Sequence, residues 1–175
     1  MTNPEPTVDS LYLAINLLWT TLCTFLVFLM QAGFAMLEAG SVREKNVQAQ
    51  LVKNVLDTCI VTLCFFTFGY GLAYGKPTGN FIGTDLFAAY GYGGTDNYVL
   101  FLFHWSFVST ATTIISGSLA ERTHIAAYLV TAAVFSTLVY PISTMWIWGG
   151  GWLYDIGYHD FAGSGAVHLL GGTAG

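Results

Sequence analysis

The sequence has 175 residues, of which 54% are hydrophobic and 9% charged, with five Lys or Arg, ten Asp or Glu and a formal net charge of −5. A soluble domain is about 25% charged, so so few charged side chains cannot solvate a fold of this size in water, and lipid has to take the place of that solvent. The charge is thinly spread with no basic run, which argues against nucleic acid as a partner.

The N-terminal stretch Met1 to Ser10 carries Glu5 and Asp9 and no Lys or Arg. A secretory signal needs a positive start and a short apolar core, so residues 1–10 are expected to be an extracellular tail and the apolar run behind them a retained helix. A bilayer core about 30 Å thick calls for roughly 20 apolar residues per helix. Four stretches qualify, near 11–37, 56–74, 98–119 and 125–148. A fifth begins near Asp160 or Phe161 and is still apolar at Gly175. Its reach is about 22 Å at about 1.5 Å per residue, short of a crossing, so the sequence is expected to be a piece of a longer chain. The expected architecture is an all-α integral membrane domain over residues 11–175, with no soluble domain and no short repeat.

Orientation follows from the cations. Arg43, Lys45 and Lys53 are expected between helices one and two, Arg122 between three and four, and Lys76 alone on the other side. Cytoplasmic loops carry the excess of Lys and Arg, so the N-terminus is expected outside. The cysteines Cys23, Cys59 and Cys64 sit in apolar runs, match no disulfide or zinc spacing and read as small core residues. No metal or cofactor is expected. In helix three, Thr112, Thr113, Ser116, Gly117, Ser118 and Ala120 are small enough to let helices approach closely in lipid.

Ionisable groups at membrane depth are functional candidates because burying them is expensive. His168 stands in a run, Ala162 to Leu170, with no other ionisable side chain. For a helix starting at Asp160 it lies about 12 Å along the axis and about 80° around from Asp160. It reads equally as a pore residue and as a neutral histidine bonded between helices. Asp160 reads as a helix cap, which leaves room for a second role favouring cations at a pore mouth. Trp148 reads as an interfacial belt residue or as a cation–π surface worth about 0.5–2 kcal/mol to a small cation. Phe107, alone, carries no signal.

Together these residues resemble the ammonium transporter family (Amt/Mep/Rh), within it the plant-like Amt branch. Asp160-Phe-Ala-Gly-Ser-Gly-Ala-Val-His168 resembles the family's signature at the start of its fifth helix. The run from Gln31 to Arg43 with Lys45 and Asn46 is similar to the end of its first helix, and Ser116 to Thr123 to its third helix and following turn. The resemblance implies the first inverted repeat, helices one to five with the fifth truncated, of an eleven-helix fold that assembles as a homotrimer in the plasma membrane. It implies ammonium recruitment at Phe103, Phe107, Trp148 and Asp160, a pore gate at Phe107 and the first of two pore histidines at His168. The second histidine and second gating phenylalanine would belong to the other repeat. His104 stands where the family usually has glutamine. The implied activity is ammonium captured outside and ammonia conducted inward, with no covalent chemistry and thus no enzyme. Two alternatives share the fold: an ammonium-sensing module of a signalling protein, and an Rh-type gas channel, against which Trp148 speaks.

Overall fold

The computed structural model describes residues 7–175, so most of the tail expected over residues 1–10 lies outside the described residues. Helix one, Val8–Ser41, already includes the last residues of that expected tail. Thr7 caps it: its Oγ1 accepts the Ser10 N–H at 3.2 Å, satisfying one of the free donors of the first turn. Helix one is apolar on almost every side, and only Thr24 and Glu38 are buried along it.

Helix two starts at Val47, well before the predicted boundary near Leu56. It runs as Val47–Cys64, passes through a π segment at Phe65–Gly69 and ends as Tyr70–Tyr74. The early turns escape a hydropathy reading because they carry Gln50, Lys53, Asn54 and Asp57. Gln50, Lys53 and Asp57 are buried against neighbouring helices rather than facing lipid. Lys53 is therefore not the loop cation that the sequence suggested. Arg43, Lys45 and Arg122 still share one end of the fold and Lys76 the other, so the asymmetry survives with one cation fewer.

Helix three is Thr95–Leu119. Helix four runs as Ile125–Val134, a π segment at Phe135–Val139, and Tyr140–Ile147. Pro141 supplies no N–H to the ladder, and widened turns are a common way to absorb that loss. The two π segments face each other: a Cβ on Gly69 would lie 2.6 Å from the Ser136 carbonyl oxygen, so only glycine permits this approach. A short antiparallel pair, Pro77–Thr78 with Ile82–Gly83, folds the loop after helix two, and a single turn, Trp152–Asp155, precedes helix five.

Helix five begins at Ser164, not at Asp160. It opens as a π segment, Ser164–Leu169, and continues as Leu170–Ala174. Among the described residues, four helices are long and apolar enough to cross a membrane, in the order expected. Helix three is the axis of the packing. The core cluster takes Val61 and Phe65 from helix two, Val108, Ala111 and Ile115 from helix three, Phe135 and Tyr140 from helix four and Val167 from helix five. Ser106, Ser109, Thr110, Thr112, Thr113 and Ser116 are all buried on helix three. Several of their hydroxyls are answered locally, as where Thr110 donates to the Ser106 carbonyl at 2.9 Å and Thr112 to that of Val108 at 2.8 Å. Of the small residues noted in sequence, Thr112, Thr113 and Ser116 are buried, Ser118 and Ala120 half-buried and Gly117 exposed. The cysteines are not core residues: Cys23 and Cys64 are half-buried and Cys59 is exposed, all with free thiols.

One side chain ties the ends of helices one, two and three together. Glu121, in the turn after helix three, accepts from the Asn46 amide at 2.6 Å, the Arg43 main-chain N–H at 2.9 Å and the Arg43 Nε at 3.2 Å. The Asn46 amide first, and the Arg43 N–H next, hold its carboxyl down to about 2 from an ordinary 4.5. A depressed folded-state value contributes stability that is fully present above about 4.5 and lost as the pH falls toward about 2. Glu121→Gln should therefore flatten the acid limb of thermal stability across that window and leave stability at neutral pH modestly lower. An acid limb identical in wild type and variant would show that the contact is not made.

Candidate functional site

At the end of the fold away from Arg43, helices two, three and four converge on a cluster of rings. Phe103 and Phe107 lie one helical turn apart on helix three and so share a face. Their centroids are 4.8 Å apart, edge to face. Trp148 follows the last turn of helix four, and its ring is 5.9 Å from Phe107. His104 closes the cluster, 6.1 Å from Trp148 and 5.6 Å from Phe103. Tyr74, the last residue of helix two, stacks on His104 at 4.0 Å. Its hydroxyl lies 2.6 Å from His104 Nδ1, which fixes the imidazole against rotation. Aromatic faces carry negative quadrupoles that attract a small cation, so the arrangement offers such an ion several faces at once.

The Trp148 ring is held by the segment before helix five. Its indole Nε1–H donates to the main-chain carbonyl of Asp160 at 2.9 Å. The Asp160 side chain is buried and faces the free N–H groups of the first turn. Oδ1 accepts from the N–H groups of Gly163 at 2.8 Å and Ser164 at 2.9 Å; Oδ2 accepts from those of Gly165 and Ala166, both at 2.8 Å. Two glycines make this turn possible. Gly163 has φ +88°, the left-handed region, and a Cβ there would lie 2.9 Å from Val167 Cγ2; a Cβ on Gly165 would lie 2.4 Å from the Tyr158 hydroxyl. The Asp-Phe-Ala-Gly-Ser-Gly pattern is the chemistry of this cap.

Because the helix starts later than expected, His168 sits only about 6 Å along it, at about 1.5 Å per residue, and the predicted angular relation to Asp160 does not hold. Its main-chain N–H bonds to the Gly163 carbonyl at 3.1 Å, the wide π pattern. Its side chain is exposed, so it is not a histidine packed between these five helices. It adjoins Val167, which belongs to the core against which Phe107 and Trp148 pack. Phe103, Phe107, Trp148 and Asp160 are thus brought into one continuous set of contacts, with His168 on the adjoining stretch of helix five.

Two features escaped the sequence. His104 stood out only as a departure from a pattern, and Tyr74 not at all; they come from different helices, and no local spacing joins them. The link between Trp148 and Asp160 was equally invisible, because the Gly-rich loop and the turn at Trp152–Asp155 bring the two together only in three dimensions.

The apolar spans and this polar, hydroxyl-lined interior define a multi-pass α-helical membrane protein. The sequence model of the Ammonium Transporter Family matches residues 18–175, and the chain belongs to that family. It is 44% identical to ammonium transporter Amt2 of Archaeoglobus fulgidus, over 97% of this chain and 37% of that protein. It is 41% identical to ammonium transporter 1 member 3 of Solanum lycopersicum, over 93% of this chain and 37% of that protein. Among solved structures it is similar to a Sensor Amt Protein, with TM-score 0.91 and 37% identity over 94% of this chain and 43% of the other. It is also similar to Saccharomyces cerevisiae Mep2, with TM-score 0.82 and 25% identity over 90% and 37%. The chain therefore spans well under half the length of these relatives.

The cap makes a quantitative test. In Asp160→Asn one carboxylate oxygen becomes an NH2 group facing two main-chain N–H donors. Each orphaned buried donor costs about 1–3 kcal/mol, so the full chain should lose about 2–6 kcal/mol. Thermal unfolding of the detergent-solubilised protein measures it; a melting temperature equal to wild type would show that the Asp160 cap is dispensable.

Proposed function

We propose that the full-length protein carries ammonium across the plasma membrane, as a homotrimer with its N-terminus outside. The observation that carries this reading is the cluster of Phe103, Phe107 and Trp148, with Trp148 locked to Asp160 at the head of the helix that bears His168. Family membership supports it, as do the ammonium transporters among the relatives.

The mechanism starts at the rings. Ammonium is attracted to the faces of Trp148 and Phe107, each contributing about 0.5–2 kcal/mol. Asp160 keeps Trp148 in place and leaves a net negative charge beside the entrance, although its oxygens are already engaged by N–H groups. Beyond the Phe107 ring the medium is dry. An unpaired ion there faces a penalty of several kcal/mol or more, so the species that crosses is ammonia. His168, exposed on this half and available to a second half, offers one nitrogen as donor and one as acceptor to a molecule of ammonia. No bond is made or broken other than to the proton. The nearness of the fold to a Sensor Amt Protein supports a second reading, in which the same recruitment site reports ammonium to a signalling domain. A kinase- or cyclase-like segment in the remainder of the chain, with no uptake, would decide for it.

Trp148→Leu should weaken recruitment by roughly 2- to 30-fold, the equivalent of about 0.5–2 kcal/mol, with folding intact because the residue is only half-buried. The concentration dependence of methylammonium uptake reads this directly, and an unchanged curve would return Trp148 to an interfacial anchor. His168→Ala should abolish or uncouple uptake, and His168→Glu should turn the path into a cation conductor. If both keep wild-type uptake and current in assembled trimers, His168 is not in the pore. Residues 1–175 expressed alone should not transport, since one repeat leaves the pore wall open; robust uptake by that piece would contradict the reading.

A further inference from the structure

The strongest unexplained feature lies at the opposite end of the fold from the rings, among helices one to four. Three ionisable side chains are buried there: Glu38 is 6% exposed, Lys53 8% and Asp57 0%. Glu38 is well provided with partners. The Gln50 and Asn54 amides donate to its Oε2, the latter at 2.8 Å, the Ser116 hydroxyl donates to its Oε1, and Lys53 Nζ stands 3.7 Å away. Lys53 also donates to the Ser116 carbonyl at 3.1 Å, and its ammonium lies 4.6 Å from the centre of the Tyr128 ring. Glu38 and Lys53 thus balance as an ion pair.

Asp57 has nothing comparable. Its Oδ1 has no hydrogen-bond partner. Its Oδ2 lies 3.2 Å from the Thr113 hydroxyl, but that hydroxyl has a single hydrogen and two nearer acceptors, the Gln31 Oε1 and the Ser109 carbonyl, both at 2.9 Å. The Tyr128 hydroxyl stands beside Asp57 and Ser116 and forms no well-directed bond to either. The groups facing Asp57 are Glu38 and Gln31 of helix one, Lys53 of helix two, Thr113 of helix three and Tyr128 of helix four. Two carboxylates therefore share one ammonium. Asp57 is fully covered by these residues. Buried charges are paired or neutralised, so one positive charge is missing from this inventory.

We propose that Asp57 binds a proton, making the Glu38–Lys53–Asp57 cluster a proton-binding site in the membrane domain, separate from the ring cluster and independent of the transport reading. A proton on Oδ2 is donated to a lone pair of the Thr113 oxygen, which frees the Thr113 hydrogen for Gln31 or Ser109 and resolves the crowding of acceptors. The charge count closes with Glu38 ionised, Lys53 charged and Asp57 neutral. The site communicates with water at the Arg43 end: Gln50, Lys53 and Tyr128 line a cavity of about 440 Å³ whose wall also includes Arg43, Lys45 and His124. Lys53 and Tyr128, which face Asp57, therefore stand between it and that cavity.

The test is infrared spectroscopy of the full-length protein in lipid nanodiscs at neutral pH. The expected result is a carboxylic-acid C=O band that moves in heavy water and on carbon-13 labelling of aspartate carboxyls, does not move on labelling of glutamate carboxyls, and disappears in Asp57→Asn. No such band, one that ignores aspartate labelling, or one that moves on glutamate labelling would overturn the proposal. If Asp57→Asn fails to assemble, the labelled wild-type spectrum decides on its own. A second measurement separates a proton from a metal cation. Wild-type thermal stability should be the same in sodium and in N-methylglucamine salts; stabilisation specific to sodium would mean that a bound cation, not a proton, completes the site.

Discussion

Four main-chain N–H groups at the head of helix five have no carbonyl of their own helix to bond, and the Asp160 carboxylate takes its place. Each oxygen takes two of those groups, so the first turn is held by a side chain that is itself buried. The geometry that lets Asp160 do this also turns its carbonyl toward Trp148. One residue therefore fixes where helix five starts, which way the indole faces and how Phe107 is covered. The left-handed turn at Gly163 and the missing side chain at Gly165 exist to serve that contact.

The same demand, that polar groups be answered internally, shapes the rest of the helices. Helix three carries a buried column of serine and threonine, in which the hydroxyls of Thr110, Thr112 and Thr113 return to carbonyls one turn earlier. Helices two and four widen into π segments where Gly69 and Ser136 meet and where Pro141 removes a donor. At the far end, Glu121 gathers the N–H of Arg43 and the amide of Asn46. Buried polar groups left over by this scheme concentrate around Asp57, and a site with one uncompensated charge is what that concentration amounts to.

The two ends of the half-repeat are built differently. The ring cluster is soft and polarisable, held by the hydrogen bonds between Tyr74 and His104 and from Trp148 to the Asp160 main-chain carbonyl. The opposite end is ionic, with Lys53 shared between a carboxylate and a carbonyl. Aromatic faces thus gather at one end of the membrane domain and fixed charges at the other.

Length and hydropathy were enough to determine the class of fold, four spans and a fifth begun, because hydrocarbon thickness sets a minimum apolar run and leaves few alternatives. The local pattern from Asp160 to His168 brought out those two residues, since a capping acid and a lone membrane histidine each have a physical meaning in sequence; Phe103 and Phe107 stood out only through the family resemblance. The sequence misplaced Lys53 in a loop and began helix two at Leu56, because hydropathy scores a polar residue as if it faced lipid. Lys53 and Asp57 face other helices, and which face of a helix is covered is decided only when its neighbours arrive. The start of helix five, the partnership of Tyr74 with His104 and that of Trp148 with Asp160 belong to the same category. Each joins residues from separate elements, and contacts of that kind have no period along the chain; tertiary packing alone decided them.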